Sequence, residues 1–169
     1  SKYSLGNPVI FQEPGGRIHL MYVALKGTYW NDAVLYSLYS EDEGETWNEW
    51  IDESSGLTQP KVHGLSIDSQ DSDILFAATE GGVFKSLDGG ESWDVLYDET
   101  PVLQIEFSSI NPKIIYAVTA RNIIRSNDGG NNWKSVWQND VTNPLSILAL
   151  NTEPEFLYSG TQKGLLKSF

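Results

Sequence analysis

Short apolar runs recur along this chain at intervals of about 40 residues, each bounded by Gly, Pro, Asn or Asp. Ile74-Leu75-Phe76-Ala77-Ala78-Thr79 stands 40 positions before Ile114-Ile115-Tyr116-Ala117-Val118-Thr119, and Phe156-Leu157-Tyr158-Ser159-Gly160-Thr161 stands 42 positions after that. Runs this short, rich in β-branched and aromatic residues, predict strands. Pro112 and Pro154 each precede a run, and Lys85-Ser86, Arg125-Ser126 and Lys167-Ser168 close the strand that follows it. The pattern predicts units of four antiparallel strands. One unit covers Val62–Ile67, Ile74–Ala78, Val83–Ser86 and Trp93–Tyr97; the next covers Val102–Phe107, Ile114–Val118, Ile123–Ser126 and Trp133–Trp137. A further unit offers Ser146–Leu150, Phe156–Ser159 and Leu165–Ser168, without a fourth strand.

The first unit is the divergent copy, with predicted strands Pro8–Phe11, Arg17–Val23, Val34–Tyr39 and Trp47–Ile51. Tyr22 to Ser40 spans 18 positions against 10 from Phe76 to Ser86, so its second connection reads as about eight residues longer (18 − 10) and carries Tyr29, Trp30 and Asp32.

Between third and fourth strands the chain repeats Ser-x-Asp-x-Gly-x-x-Trp. The copies place Ser40, Asp42, Gly44 and Trp47; Ser86, Asp88, Gly90 and Trp93; and Ser126, Asp128, Gly130 and Trp133. The serines step by 46 (86 − 40) and 40 (126 − 86), and Ser168-Phe169 opens a further copy at 42 (168 − 126). Ser and Asp side chains accept backbone N–H bonds and close turns, Gly permits positive φ, and Trp offers a large ring to bury. A turn and a Trp in every repeat of this length predict the blades of an all-β, β-propeller fold. The expected blades run 6–52, 61–98, 102–138 and 145–169, with the last incomplete and residues 1–5 a closing strand. The length of four blades less one strand reads as a single domain or a fragment of one.

The motif resembles the Asp-box, or BNR, repeat of sialidases, sortilin-type receptors, xyloglucan-cleaving enzymes and a photosystem II assembly factor. That resemblance covers nearly the whole chain. It implies a structural role for Asp42, Asp88 and Asp128 on the periphery of the blades, and a secreted or periplasmic location. Residues 6–50, with Gly6-Asn7-Pro8-Val9-Ile10 and Gly16-Arg17-Ile18, are similar to the predicted-neuraminidase branch. Sialidases grip a substrate carboxylate with three arginines, but Arg17-Ile18 is followed here by His19 rather than Pro. Arg17, Arg121 and Arg125 are the only arginines, and Arg125 aligns with Lys85 and Lys167 as a surface ladder.

The connections between second and third strands share one face with the blade-to-blade links, and the Asp-boxes occupy the other. Ligand-binding candidates on the first, mouth face are Tyr29, Trp30, Asp32 and Arg121. Adjacent aromatics beside Asn31 and Asp32 suit stacking on a sugar ring, and also suit packing down on their own blade. Asp32 and Glu80 are the carboxylates on neighbouring mouth loops, and a glycosidase needs two such groups across a gap. His19 and His63 read as structural.

Net charge is −12, from 11 basic and 23 acidic residues, which argues against nucleic acid and anionic membranes as partners. The acidic stretches Glu41–Glu45 and Asp68–Asp73 offer oxygen ligands to calcium but also read as a solvated rim, and no metal or cofactor is assigned. With no Cys there are no disulfides or thiolate sites. No run reaches the roughly 18–20 apolar residues of a membrane span, and the start shows no charged-then-apolar targeting pattern.

Two functions fit. One is a non-catalytic module that binds carbohydrate or protein through its mouth-face loops. The other is a sialidase-like glycoside hydrolase that works only as a completed ring, with a homodimer of eight blades as one route to completion.

Overall fold

The computed structural model describes residues 8–12, 15–25, 33–49, 51–57, 61–68, 70–99, 101–108, 110–138, 144–150 and 156–167. Every regular element among them is a β-strand. The first sheet holds β1 (Val9–Gln12), β2 (Ile18–Leu25), β3 (Ala33–Ser40) and β4 (Ile51–Asp52). The second holds β5 (Val62–Ile67), β6 (Leu75–Thr79), β7 (Gly82–Ser86) and β8 (Asp94–Tyr97). The third holds β9 (Val102–Phe107), β10 (Ile115–Thr119), β11 (Asn122–Ser126) and β12 (Lys134–Gln138). The fourth holds β13 (Pro144–Leu150), β14 (Phe156–Thr161) and β15 (Gly164–Lys167). Each sheet is a plain antiparallel meander in chain order, which is the form of a propeller blade.

Register repeats with the sequence. Leu75 faces Ser86 and Ile115 faces Ser126, so the box serine closes the same ladder position in both blades. On the entering strand a bulge recurs: the pairing skips His63, Leu103 and Leu145, the residue after the first of each innermost strand. An extra residue at this point bends the strand and re-aims its neighbours.

Blade one departs from the sequence reading in two ways. Ile18 faces Ser40, so His19, not Tyr22, occupies the place of Phe76. The longer excursion from ladder start to box serine, 22 positions against 11, is shared between strands of eight residues rather than five and the connection they carry. The continuous apolar run Leu20–Leu25 extends past the point where the other blades turn. The outer strand is also shorter than the expected Trp47–Ile51. Asn48 takes the Tyr39 N–H with its side-chain oxygen and gives its own N–H to the Tyr39 carbonyl at 3.0 Å, so a side chain stands in for the ladder before β4 begins.

The core lies between blades rather than inside one. Met21, Val23 and Leu35 of blade one meet Val62, Leu75, Ala77, Phe84 and Trp93 of blade two. Phe76, Ala78 and Val83 then meet Val102, Ile105, Ile115, Ala117 and Ile124 of blade three. Tyr116, Val118 and Ile123 meet Ile147 and Ala149 of blade four. Each large apolar side chain buried this way contributes about 1.5–3 kcal/mol. Both faces of β6 and β10 are covered, which is why all five of their residues are buried and their sequences read as continuous apolar runs.

Candidate functional site

The meander places two kinds of turn on opposite edges of each blade. On one edge of blades two, three and four, two-residue connections join the second and third strands and are stapled by a threonine. Thr79 donates its hydroxyl to the Gly82 carbonyl and accepts the Gly81 N–H; Thr119 does the same with Asn122 and Arg121, and Thr161 with Gly164 and Lys163. These staples fix where Glu80, Arg121, Gln162 and Lys163 emerge. The Arg121, Gln162 and Lys163 side chains are exposed.

Glu80 is tied more closely. Its backbone N–H donates to the Lys61 carbonyl at 3.1 Å, joining the turn to the incoming blade link. Its carboxylate accepts the Lys61 ammonium, and His63 Nε2 lies 3.3 Å from the same oxygen. The bulge in β5 carries His63 to this place. The Lys61 hydrogen bond, opposed by partial burial, holds the Glu80 carboxyl below its usual range. Burial lowers the His63 imidazole despite the adjacent Glu80 charge. Glu80 is therefore an ionised acceptor beside a neutral imidazole, whereas a general acid near neutral pH needs its proton affinity raised.

Lys61 and His63 were not singled out in the sequence as partners of Glu80. Their signal is faint: Lys61 precedes the innermost strand, and Glu80 aligns with Ala120 and Gln162, so this charged cluster belongs to one blade and not to the repeat. Tyr29, Trp30 and Asp32 lie outside the described residues.

The box turns occupy the other edge. Ser86 Oγ donates to Asp88 Oδ1 at 2.7 Å and accepts the N–H groups of Asp88 and Gly90 at 3.2 and 2.8 Å. Asp88 in turn accepts the Ser92 N–H and hydroxyl at 2.9 and 2.5 Å. Ser40, Asp42 and Thr46 repeat this set, as do Ser126, Asp128 and Asn132, with the Asn132 amide replacing the hydroxyl at 2.7 Å. Donation from Thr46, Ser92 and Asn132 holds the three aspartates at about 2. With both oxygens engaged, these carboxylates serve as turn acceptors.

The remaining sequence candidates fall on the box edge or between blades. Arg17 pairs with Glu41 at 2.9 Å beside the first box. Lys85, Arg125 and Lys167 each lie over the aromatic ring paired with them across the ladder, Phe76, Tyr116 and Tyr158. A cation over a ring face is favourable and recurs here in blades two, three and four, where Lys167 also stands 4.0 Å from the centre of the Phe156 ring. Asp68 and Asp71 accept the N–H groups of Gln70 and Asp73 in their turns. Among the described residues no three His, Asp or Glu side chains converge as a metal site.

A family model described as a BNR repeat-like domain matches residues 1–162. The chain belongs to the BNR repeat-like domain family. No curated protein sequence matches it. Solved structures do, at identities that bear on fold alone. An ancestral GH74 enzyme aligns with 96% of this chain and 23% of its own at 18% identity, TM-score 0.65. YCF48 bound to D1 peptide aligns with 94% of this chain and 48% of its own at 21% identity, TM-score 0.62. A Hadza microbial sialidase aligns with 93% of this chain and 40% of its own at 16% identity, TM-score 0.55. This BNR chain thus spans between about a quarter and a half of these three structures.

Proposed function

We propose that this BNR chain is a recognition module that binds a carbohydrate or protein ligand through the loops of its mouth edge. The observation that supports the reading most is the state of Glu80. Lys61 and His63 hold it ionised, so it is suited to accept hydrogen bonds from ligand hydroxyls or amides and unsuited to deliver a proton. Arg121 and Lys163 add exposed donors on the same edge of neighbouring blades. Tyr29 and Trp30 are assigned the stacking role and Asp32 the hydroxyl contacts.

The test is ligand screening on glycan and peptide arrays, with hits measured by calorimetry against Trp30→Ala, Arg121→Ala and Glu80→Gln. A binding module loses about tenfold or more in affinity with Trp30→Ala, the scale of one lost aromatic contact. Hits indifferent to all three substitutions would overturn the reading.

The second reading is a glycoside hydrolase with Asp32 and Glu80 as its carboxylates, favoured by the fold shared with a sialidase and a GH74 enzyme. It predicts that Asp32→Asn abolishes turnover of an aryl glycoside while binding survives. The ring-completing homodimer belongs with this reading, and light scattering at several concentrations tests it. Loss of dimer on deletion of residues 1–5 would support strand exchange.

A further inference from the structure

Blades two and three part along the box edge to leave a cleft of about 520 Å³, within the range of small-ligand sites. Ile74, Phe107 and Pro112 give it an apolar wall, with the Phe107 ring set edge-on to Phe76 at 5.3 Å. Lys85 and Lys113 line it from opposite blades.

The charged groups of the cleft are unevenly committed. Asp128 has both oxygens taken by Ser126 and Asn132, and Asp68 accepts the Gln70 N–H at 2.9 Å. Lys85 lies over the Phe76 ring at 5.4 Å, and among the described residues neither it nor Lys113 is in an ion pair. The backbone of Lys113 is held firmly: its N–H donates to Asn111 Oδ1 at 3.0 Å and its carbonyl accepts the Gly129 N–H at 2.9 Å.

Comparison of the repeats shows that this charge is particular to one junction. Lys85 has counterparts in Arg125 and Lys167, so it belongs to the framework. Lys113 has none: Asp73 stands 40 positions before it and Glu155 stands 42 positions after. Asn131 likewise takes the place of Glu45 and Glu91 in the other two boxes. Two acidic positions are thus exchanged at a single cleft, one for a cation and one for an amide, in a chain of net charge −12. Packing does not call for the exchange, because Lys113 and Asn131 are exposed.

We propose that this cleft binds a small organic anion, an oxyanion head group on an apolar body. The head group lies between Lys85 and Lys113, where hydrogen bonds are charge-assisted and strong. The apolar body covers Phe107, Ile74 and Pro112. Asp68 follows β5 and Lys85 stands on β7, with β6 between them. Two strand spacings, about 10 Å, therefore separate the head group's end of the cleft from this carboxylate. Beyond about 8 Å salt screens the acidic remainder of the chain, so the two near ammoniums govern. The site is on the box edge and separate from the mouth-edge ligand, so either proposal stands or falls alone.

The test titrates the intact 169-residue chain with four probes, read by amide NMR shifts. The probes are 3-phenylpropionate, phenyl phosphate, 3-phenylpropan-1-ol and inorganic phosphate. Both aromatic anions should saturate and shift the Phe107, Lys113 and Gly129 amides. The alcohol lacks the charge and inorganic phosphate lacks the apolar body, so each should bind about tenfold more weakly. The tighter of the two anions assigns the head group as carboxylate or phosphate. Lys113→Asp installs the charge that blade two carries there, and Lys85→Met keeps an apolar stem over Phe76. Each should weaken the anions about three- to tenfold at unchanged melting temperature.

Alcohol binding as tight as that of the acid would overturn the proposal, since the cleft would then read apolar surface alone. So would anion binding that neither lysine variant weakens, or shifts confined to other blades. Failure of both aromatic anions to saturate by about 10 mM would overturn it as well.

Discussion

The indole N–H of Trp93 donates to the backbone carbonyl of Glu53 at 2.9 Å, bonding the box of blade two to the exit of blade one. The same residue type at the same motif position behaves differently elsewhere. Trp133 lies tilted against Tyr97, and its buried Nε1 meets no acceptor among the described residues. Trp47 is 37% exposed and returns its N–H to the Gly44 carbonyl at 3.1 Å. The motif supplies the ring, and the preceding blade decides what the ring is worth.

Trp93→Phe should therefore cost about 1–3 kcal/mol, since it leaves the Glu53 carbonyl without this donor, and Trp93→Ala about 3–5 kcal/mol. Trp47→Ala should cost less than Trp93→Phe. Urea unfolding of the three variants checks the order, and equal losses for Trp47 and Trp93 would contradict inter-blade packing as the source.

The two glycines of the third box separate backbone strain from steric contact. Both have positive φ, +72° at Gly129 and +96° at Gly130. A Cβ at Gly129 would meet nothing within 4 Å, whereas one at Gly130 would stand 2.7 Å from Leu96 Cδ1 and 2.9 Å from Phe76 Cε1. Gly129→Ala should cost about 1–3 kcal/mol through backbone strain alone. Gly130→Ala should exceed it by about 1–3 kcal/mol, the scale of an overpacked core. Melting temperatures decide, and a larger loss at Gly129 would contradict the box seated on blade two.

Gln104 acts as an extra rung between blades. Its Nε2 donates to the Ile147 carbonyl at 2.9 Å and its Oε1 accepts the Ile147 N–H at 3.0 Å. Gly64 stands at this place in blade two, where a Cβ would come within 3.7 Å of the Gln104 backbone. Gln104→Leu should destabilise by about 1–3 kcal/mol, because it strips partners from two backbone groups. Gln104→Glu keeps only the acceptor and should fall between. Hydrogen exchange at the Ile147 amide provides the direct readout, and unchanged protection in Gln104→Leu would remove the bridge from the account.

Much of this architecture is legible in the residues, for a physical reason. Ser86, Asp88 and Gly90 act within five positions of one another, so spacing alone encodes their turn, and it does so again at Ser40 and Ser126. Leu75–Thr79 and Ile115–Thr119 show their burial as unbroken apolar runs. What sequence obscures is set by register or by distant contact. Tyr22 matched Phe76 by residue type, yet pairing puts His19 there, because a longer hairpin shifts the ladder without changing its pattern. Lys61, His63 and Glu80 meet only through a bulge and a turn 17 to 19 positions apart. Neither feature repeats in charge, so periodicity cannot reveal the cluster.

That cluster sets a dependence on acidity. The folded-state affinity of His63 lies below its ordinary 6.5, so as pH falls past 6.5 the unfolded chain takes the proton first and stability declines. The folded-state affinity of Glu80 lies below its ordinary 4.5, so its contribution is complete above 4.5 and is lost as pH falls through the folded value. Both act in the same direction, and His63 acts first. His63→Asn should flatten the decline of melting temperature between about pH 6.5 and 5 while leaving the fall below 4.5. Glu80→Gln should do the opposite and also steepen the first decline, because the Glu80 charge is what lifts the His63 affinity against burial and Lys61. An NMR titration of the imidazole assigned by its loss in His63→Asn tests the sign directly. A value above 6.5 would show that the ion pair, rather than burial, governs this edge of the blade.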